Sequence, residues 1–147
     1  MKEIVFNKLM EENCKVINLI HPDLLVIEPV GAKFGKGVVI HKRSAIPPNS
    51  TIGNGALIQA MVIMGHDIVV GDFSTVSSLT FIGGDTVIGK HTYIGPSSCI
   101  RNGLHIGDNV IVGMGSVVTK DIPDNAVVYG NPAKIARYND IGRVFSK

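Results

Sequence analysis

From Phe34 onward an apolar residue returns at every sixth position, through Ile40, Ile46 and Ile52 to Val112 and Val118. All fifteen positions of this series are apolar and the register never slips. The residue after the aliphatic is Gly in nine of the fifteen hexads, as in Ile52-Gly53, Val70-Gly71 and Ile88-Gly89. The third and fourth places are mostly polar or Gly, such as Asn54-Gly55 and Asp108-Asn109. The fifth place is usually small or β-branched: Ser44, Ser50, Ala56, Ser74, Thr80, Thr86, Thr92, Ser98, Ser116. Neither an amphipathic helix nor simple strand alternation has this period. Six is the period of a short strand plus a corner, stacked as a parallel β-helix. The aliphatic fills the interior, the small residue lets the wall close, and Gly or polar residues turn the corner. Three hexads make one triangular coil, so residues 18 apart stack at about 4.8 Å, one strand spacing. The series predicts about five coils.

The two ends follow other rules. Val5, Phe6, Leu9, Met10 and Cys14 fall at helical spacing, so residues 1–16 are expected to hold a short helix over 2–15. Its apolar stripe is expected to cover the first coil, because solenoids need capped ends. The coils are expected over 17–122. The pattern breaks at Asp121-Ile122-Pro123-Asp124, leaving 123–147 as a C-terminal segment with no regular element assigned from Arg137 onward. The expectation is one all-β domain over 1–147.

Composition narrows the function classes. The chain has 147 residues, 45% hydrophobic but only 5% aromatic, with no Trp and 17 Gly. A core so poor in rings is built from Ile, Val and small residues. The net charge is +2, without a long basic run, which points away from nucleic acid. No apolar stretch reaches about 18 residues, the length of a membrane-spanning helix. The start, MKEIVFNKLMEENCK, carries acids within its apolar part, unlike a signal peptide. Cys14 and Cys99 have no CxxC partner, so neither a metal nor a disulfide framework is expected. That agrees with a reducing, cytoplasmic setting.

His66 and Asp67 occupy the third and fourth places of their hexad, at an outward corner. Corners are polar in any case, and Lys90-His91 needs no further account. Gly84 lies one coil on from His66, leaving room beside the imidazole and a backbone N–H. Met61, Phe73, Leu79 and Met114 are apolar where corners should be polar. Met61 stacks with Leu79, and Pro96 with Met114, each pair 18 apart. Exposed apolar corners mark a contact surface.

The hexad pattern resembles that of the hexapeptide-repeat acyltransferases. The run "VIVGMGSVVTKDIPDNAVVYGNPAKI" (residues 110–135) is similar to their closing segment. "INLIHPDLLV" and "VIMGHDIVVGDFSTVS" resemble one branch, the sialic-acid O-acetyltransferases (NeuD-like) and bacillosamine N-acetyltransferases (PglD-like). The likeness covers roughly residues 17–136. It implies a left-handed β-helix, although parallel crossovers in general prefer the right hand. It implies acetyl-CoA as donor, a sugar or amino sugar as acceptor, and a homotrimer with active sites between subunits. A closed threefold is a natural assembly for flat, identical faces.

The resemblance also assigns roles. His66 matches the general base, and imidazole suits proton removal near neutral pH. Asp67 matches the acid that orients it. Gly84 matches an amide that meets the thioester carbonyl. Pro96, Gly113 and Met114 match positions near the pantetheine and adenine, Lys120 a coenzyme A phosphate contact, and Pro132 the adenine end of the wall. Two matched positions depart from the branch. Ser74-Thr75 stands where a second His is frequent, and Gln59 stands where an Asn precedes the base. Thr75 can still reach the acetyl group, and Gln59 falls on the acceptor side. Members of the branch usually carry an N-terminal Rossmann-like domain, for which this sequence has no room. Direct transfer is expected, since no Ser or Cys accompanies the base and Cys99 packs in the wall. Three other readings share the scaffold: a non-sugar acceptor such as serine, a non-catalytic trimeric scaffold, and a γ-type carbonic anhydrase. The last needs a closely spaced His pair, whereas the gaps between successive histidines here are 20, 25, 25 and 14.

Overall fold

The computed structural model describes residues 2–25 and 31–139. It shows a left-handed parallel β-helix of about six turns with one N-terminal helix. Every strand of the coils from Leu19 to Val118 is two residues long. Those strands stack into three faces. Face I carries Leu57–Ile58, Thr75–Val76 and Tyr93–Ile94 among its eight strands. Face II carries Ile63–Met64, Phe81–Ile82, Cys99–Ile100 and Val117–Val118. Face III carries Thr51–Ile52, Val69–Val70 and Val87–Ile88 among its five. Each coil runs from I to II to III and back to I.

The period of six becomes the core. Fourteen of the fifteen series positions, from Ile40 to Val118, are buried, and Phe34 packs partly against them. Through the body of the solenoid the stacking offset is 18, as in Thr51↔Val69↔Val87. The fifth-place hydroxyls do more than save space. Ser74 Oγ donates to Gly89 O at 2.7 Å, Thr92 Oγ1 to Gly107 O at 2.7 Å, and Ser98 Oγ to Gly113 O at 3.0 Å. Each ties one corner to the next coil, which satisfies carbonyls that the two-residue strands leave over.

The corners have one shared backbone feature. The fourth place is left-handed in almost every coil, with φ of 60° at Met61, 54° at Asp67, 58° at Phe73 and 57° at Asp85. Asn, Asp and Gly tolerate this region best, which explains their frequency there without any appeal to function.

The coil count exceeds the expected five because the terminal coils leave the register. Leu19 pairs with Val39, twenty residues on, and Ile111 pairs with Val127, sixteen on. A search at a strict spacing of 18 passes over both. The wall then ends in an element that the repeat does not announce. Ala126–Gly130 pairs antiparallel with Ala133–Tyr138, so the chain reverses and closes face I. Residues 140–147 of the closing segment, and 26–30 of the first coil, lie outside the described residues.

The helix α1 spans Lys2–Glu11, and none of its residues is buried. It does not cover the first coil as expected. It lies along the side of the solenoid, on the III/I edge. Phe6 meets Phe73 edge-on with centroids 5.4 Å apart, and Phe73 stacks on His91 at 5.4 Å. Glu3 Oε2 is 3.3 Å from His91 Nε2, and Lys2 Nζ donates to Thr75 Oγ1 at 2.7 Å. Partial burial of the ammonium holds the Lys2 pKa below 10.5, although the side chain as a whole is exposed. Among the described residues no helix is long and apolar enough to cross a membrane.

Candidate active site

The II/III edge carries, coil by coil, Pro48, His66, Gly84, Asn102 and Lys120 at the third place. Met64 and Val70 are buried rungs, so the four residues between their strands, 65–68, must turn the corner and put His66 outside. Its side chain is 67% exposed. Nδ1–H donates to Asp67 Oδ2 at 2.8 Å, a contact between adjacent residues that the left-handed backbone of Asp67 makes possible. The ring lies over Gly84. A Cβ placed there would come within 2.8 Å of Nε2 and 3.0 Å of Cδ2 and Cε1. Only Gly leaves the imidazole this close to the next coil.

Neither the His66 N–H nor the Gly84 N–H has an acceptor among the described residues. A free backbone donor beside the Nε2 side of an imidazole can steady negative charge on a carbonyl oxygen. A second carboxylate is also present. Asp85 Oδ1 stands 3.9 Å from His66 Nδ1, and the Asp85 N–H donates to His66 O at 2.9 Å. Asp85 was not among the expected site residues. Its signal in the sequence is its place, 18 residues on from Asp67.

The remaining expected residues are not brought to His66 within one chain. Gln59, Pro96, Gly113 and Met114 lie on the I/II edge, across face II from the imidazole. Gln59 Oε1 accepts from Ser78 N at 3.1 Å and serves the wall. Thr75 is on face I, opposite the His66 edge, and holds Lys2. Lys120 shares the His66 edge, three coils on, which is roughly 14 Å along the axis. Pro132 sits in the turn of the closing hairpin.

Two packing expectations are corrected. Phe73 does not belong with Met61, Leu79 and Met114: it is on the III/I edge under α1, whereas those three stand exposed on the I/II edge. One hexad of six residues moves a position to another edge, so apolar corners at different hexads need not align. Cys99 is exposed on face II rather than packed in the wall, because the sixth hexad place points outward. Of the other histidines, His21, His41 and His105 are exposed, and His91 anchors α1.

Residues 85–120 match the family Bacterial transferase hexapeptide (six repeats). No curated protein matches the sequence. Among solved structures, the chain is similar to PerB of Caulobacter crescentus, in complex with CoA and GDP-perosamine. Identity is 30%, over 92% of this chain and 64% of that one, with a TM-score of 0.88. A variant of perosamine N-acetyltransferase from the same organism is 28% identical over 92% of this chain and 63% of that one, with a TM-score of 0.72. Neisseria gonorrhoeae serine acetyltransferase is 28% identical over 70% of this chain and 42% of that one, with a TM-score of 0.61. The chain therefore spans less than two thirds of the length of each of these proteins.

Proposed function

We propose that this protein transfers an acetyl group from acetyl-CoA to the amine or hydroxyl of a sugar, with His66 as general base. The observation that carries the reading is the imidazole held at Nδ1 by Asp67, 2.8 Å away, with its ring over Gly84 on an exposed edge. The likeness to PerB, which is seen with CoA and GDP-perosamine, favours a nucleotide-linked amino sugar as acceptor. The serine acetyltransferase likeness supports acetyl transfer but covers less of the chain, so serine is the second reading.

The chemistry is direct transfer. Nε2 of His66 takes the acceptor's proton as its nitrogen or oxygen attacks the thioester carbon. The Gly84 N–H steadies the oxygen of the tetrahedral intermediate. That intermediate collapses with loss of the C–S bond, and the imidazolium returns its proton to the departing thiolate. Asp67 keeps the imidazole in the tautomer that this requires and stabilises the imidazolium.

One chain offers only half of this site. The expected coenzyme A positions Pro96, Gly113 and Met114 are across face II, and Thr75 is on the opposite face. Faces II and III, which flank His66, expose Ile63, Phe81 and Val69. A homotrimer that buries these faces would set the I/II edge of one subunit against the His66 edge of its neighbour.

The test is release of free thiol from acetyl-CoA with a panel of nucleotide sugars, amino sugars and serine. His66→Ala is expected to lower kcat by about 10²–10⁴ while acetyl-CoA still binds. Full turnover in that variant would overturn the base assignment. Silence across the panel, with no acetyl-CoA binding, would favour a scaffold.

A further inference from the structure

The His66 edge differs from every other level of the solenoid in one respect: two carboxylates face the same imidazole nitrogen. Asp67 Oδ2 is 2.8 Å from Nδ1, and Asp85 Oδ1 is 3.9 Å from it. The arrangement follows from the backbone. Both residues hold the left-handed corner place, with φ of 54° and 57° in successive coils. The Asp85 N–H donates to His66 O at 2.9 Å, so the second carboxylate is tied to the residue it faces. At the same place on this edge the coil before carries Asn49 and the coil after carries Gly103. Neither has a charge. The Asp85 carboxylate makes no hydrogen bond among the described residues; its contact is the 3.9 Å approach to His66 Nδ1.

We infer that Asp85 is a positioning residue for His66, a second carboxylate that holds the proton on Nδ1 and leaves the Nε2 lone pair for the acceptor. This rests on His66 being the base. At 3.9 Å Asp85 is too far for a hydrogen bond, so it acts through its charge. A unit charge about 4 Å away in water-like surroundings stabilises the imidazolium about fivefold, and biases the neutral tautomers in the same direction by less. With Asp67 in contact and Asp85 behind it, the Nδ1–H tautomer gains from both. The left-handed place sets the direction of the Asp85 Cα–Cβ bond at this corner, and Gly84 leaves the ring room to lie beside the pair.

Asp85→Asn removes the charge and keeps the corner, since Asn stands in this place at Asn49, Asn109 and Asn125. The first readout needs no activity. The ¹⁵N shifts of the His66 ring in the full chain report the ratio of the two neutral tautomers. Asp85→Asn is expected to move that ratio measurably towards Nε2–H, by less than about fivefold, and Asp85→Glu to restore it. The second readout is turnover. On an acceptor that the native protein acetylates, Asp85→Asn is expected to lower kcat about fivefold with KM for both substrates unchanged. Ring shifts identical to those of the native protein would overturn the inference whatever the activity. A fall confined to KM would overturn it too, by making Asp85 a substrate contact. If the native protein transfers acetyl to nothing, the functional reading fails, and the tautomer ratio still decides for or against the pairing.

Discussion

Two edges of the same triangular coil are finished in opposite ways. On the III/I edge, four of the five third-place amides from Lys36 to Asp108 are capped by a side chain from the next coil, Asp72 N being the exception. Asn54 Oδ1 accepts from Lys36 N at 2.9 Å, Asp72 Oδ1 from Asn54 N at 2.7 Å, Asp108 Oδ1 from Lys90 N at 2.7 Å, and Asp124 Oδ1 from Asp108 N at 2.8 Å. Above that ladder Phe73 and His91 stack, and Phe6 of α1 covers them. On the II/III edge the same places hold His66 and Gly84, whose amides go uncapped, and the carboxylates turn to an imidazole instead. One edge has used its donors and acceptors on itself. The other has kept them for something outside the chain. The same residue types, Asp and His, thus bond to the wall and to α1 on one edge and to each other on the other.

The sharpest way to break this comparison is to add a methyl group to each edge. At Gly71 a Cβ would sit 2.5 Å from Gly89 C and 2.6 Å from Lys90 N, all backbone. Gly71→Ala is expected to cost about 3 kcal/mol or more in chemical denaturation, since stacked backbones cannot yield. At Gly84 the same Cβ meets only the His66 ring, a side chain that can move. Gly84→Ala is expected to keep stability within about 1 kcal/mol and to lose about 10²-fold in acetyl transfer through the displaced base. Equal stability losses at the two glycines would show that the third place at Gly84 has no more room than the second place at Gly71.

A smaller effect comes from the carboxylates. Asp72→Ala removes the cap on Asn54 N and is expected to cost about 2 kcal/mol, as for a hydrogen bond to a charged group. Asp67→Ala removes a solvent-exposed partner. Its stability change is expected to be within about 0.5 kcal/mol, with the loss appearing in kcat. Thermal and urea unfolding of the two variants, set beside their turnover, tests the split.

The smallest effect lies inside the wall. Thr92 Oγ1 donates to Gly107 O and accepts from Val110 N at 3.1 Å. Ser50 is fully buried at the corner one coil before His66, and its hydroxyl has no partner among the described residues. Thr92→Val is expected to cost about 1–2 kcal/mol. Ser50→Ala is expected to be neutral or slightly stabilising, because no hydrogen bond is lost and a buried polar group is removed. A clear loss at Ser50 would mean that the His66 edge is as tightly bonded as the other.

Much of this was legible in the sequence, and the particulars show why. The rungs from Ile40 to Val118 follow from period alone, because a side chain pointing into a narrow prism must be apolar whatever surrounds it. His66, Asp67 and Gly84 could be grouped because they are neighbours at spacings of one and 18. Asp85 obeys the same spacing, but it reads as one more polar corner residue until its carboxylate is seen to face Nδ1. Phe73 was misplaced because apolarity at a corner does not say which edge the corner belongs to. The covering of the III/I edge by α1 depends on Phe6 meeting Phe73, a contact across 67 residues of chain that no local pattern encodes.

What the sequence alone determined is therefore the coil: its period, its core, its Gly or polar corners and the pair at His66. Those are local or strictly periodic, so they repeat without reference to the whole. The tertiary structure alone decided the offsets of 20 and 16 at the ends and the strand that reverses to close face I. It also decided that Gln59, Pro96, Thr75 and Met114 stand away from His66 in a single chain. Those outcomes depend on how many residues each turn spends. The terminal coils spend two residues more or two fewer than 18 and still return their strands to face I.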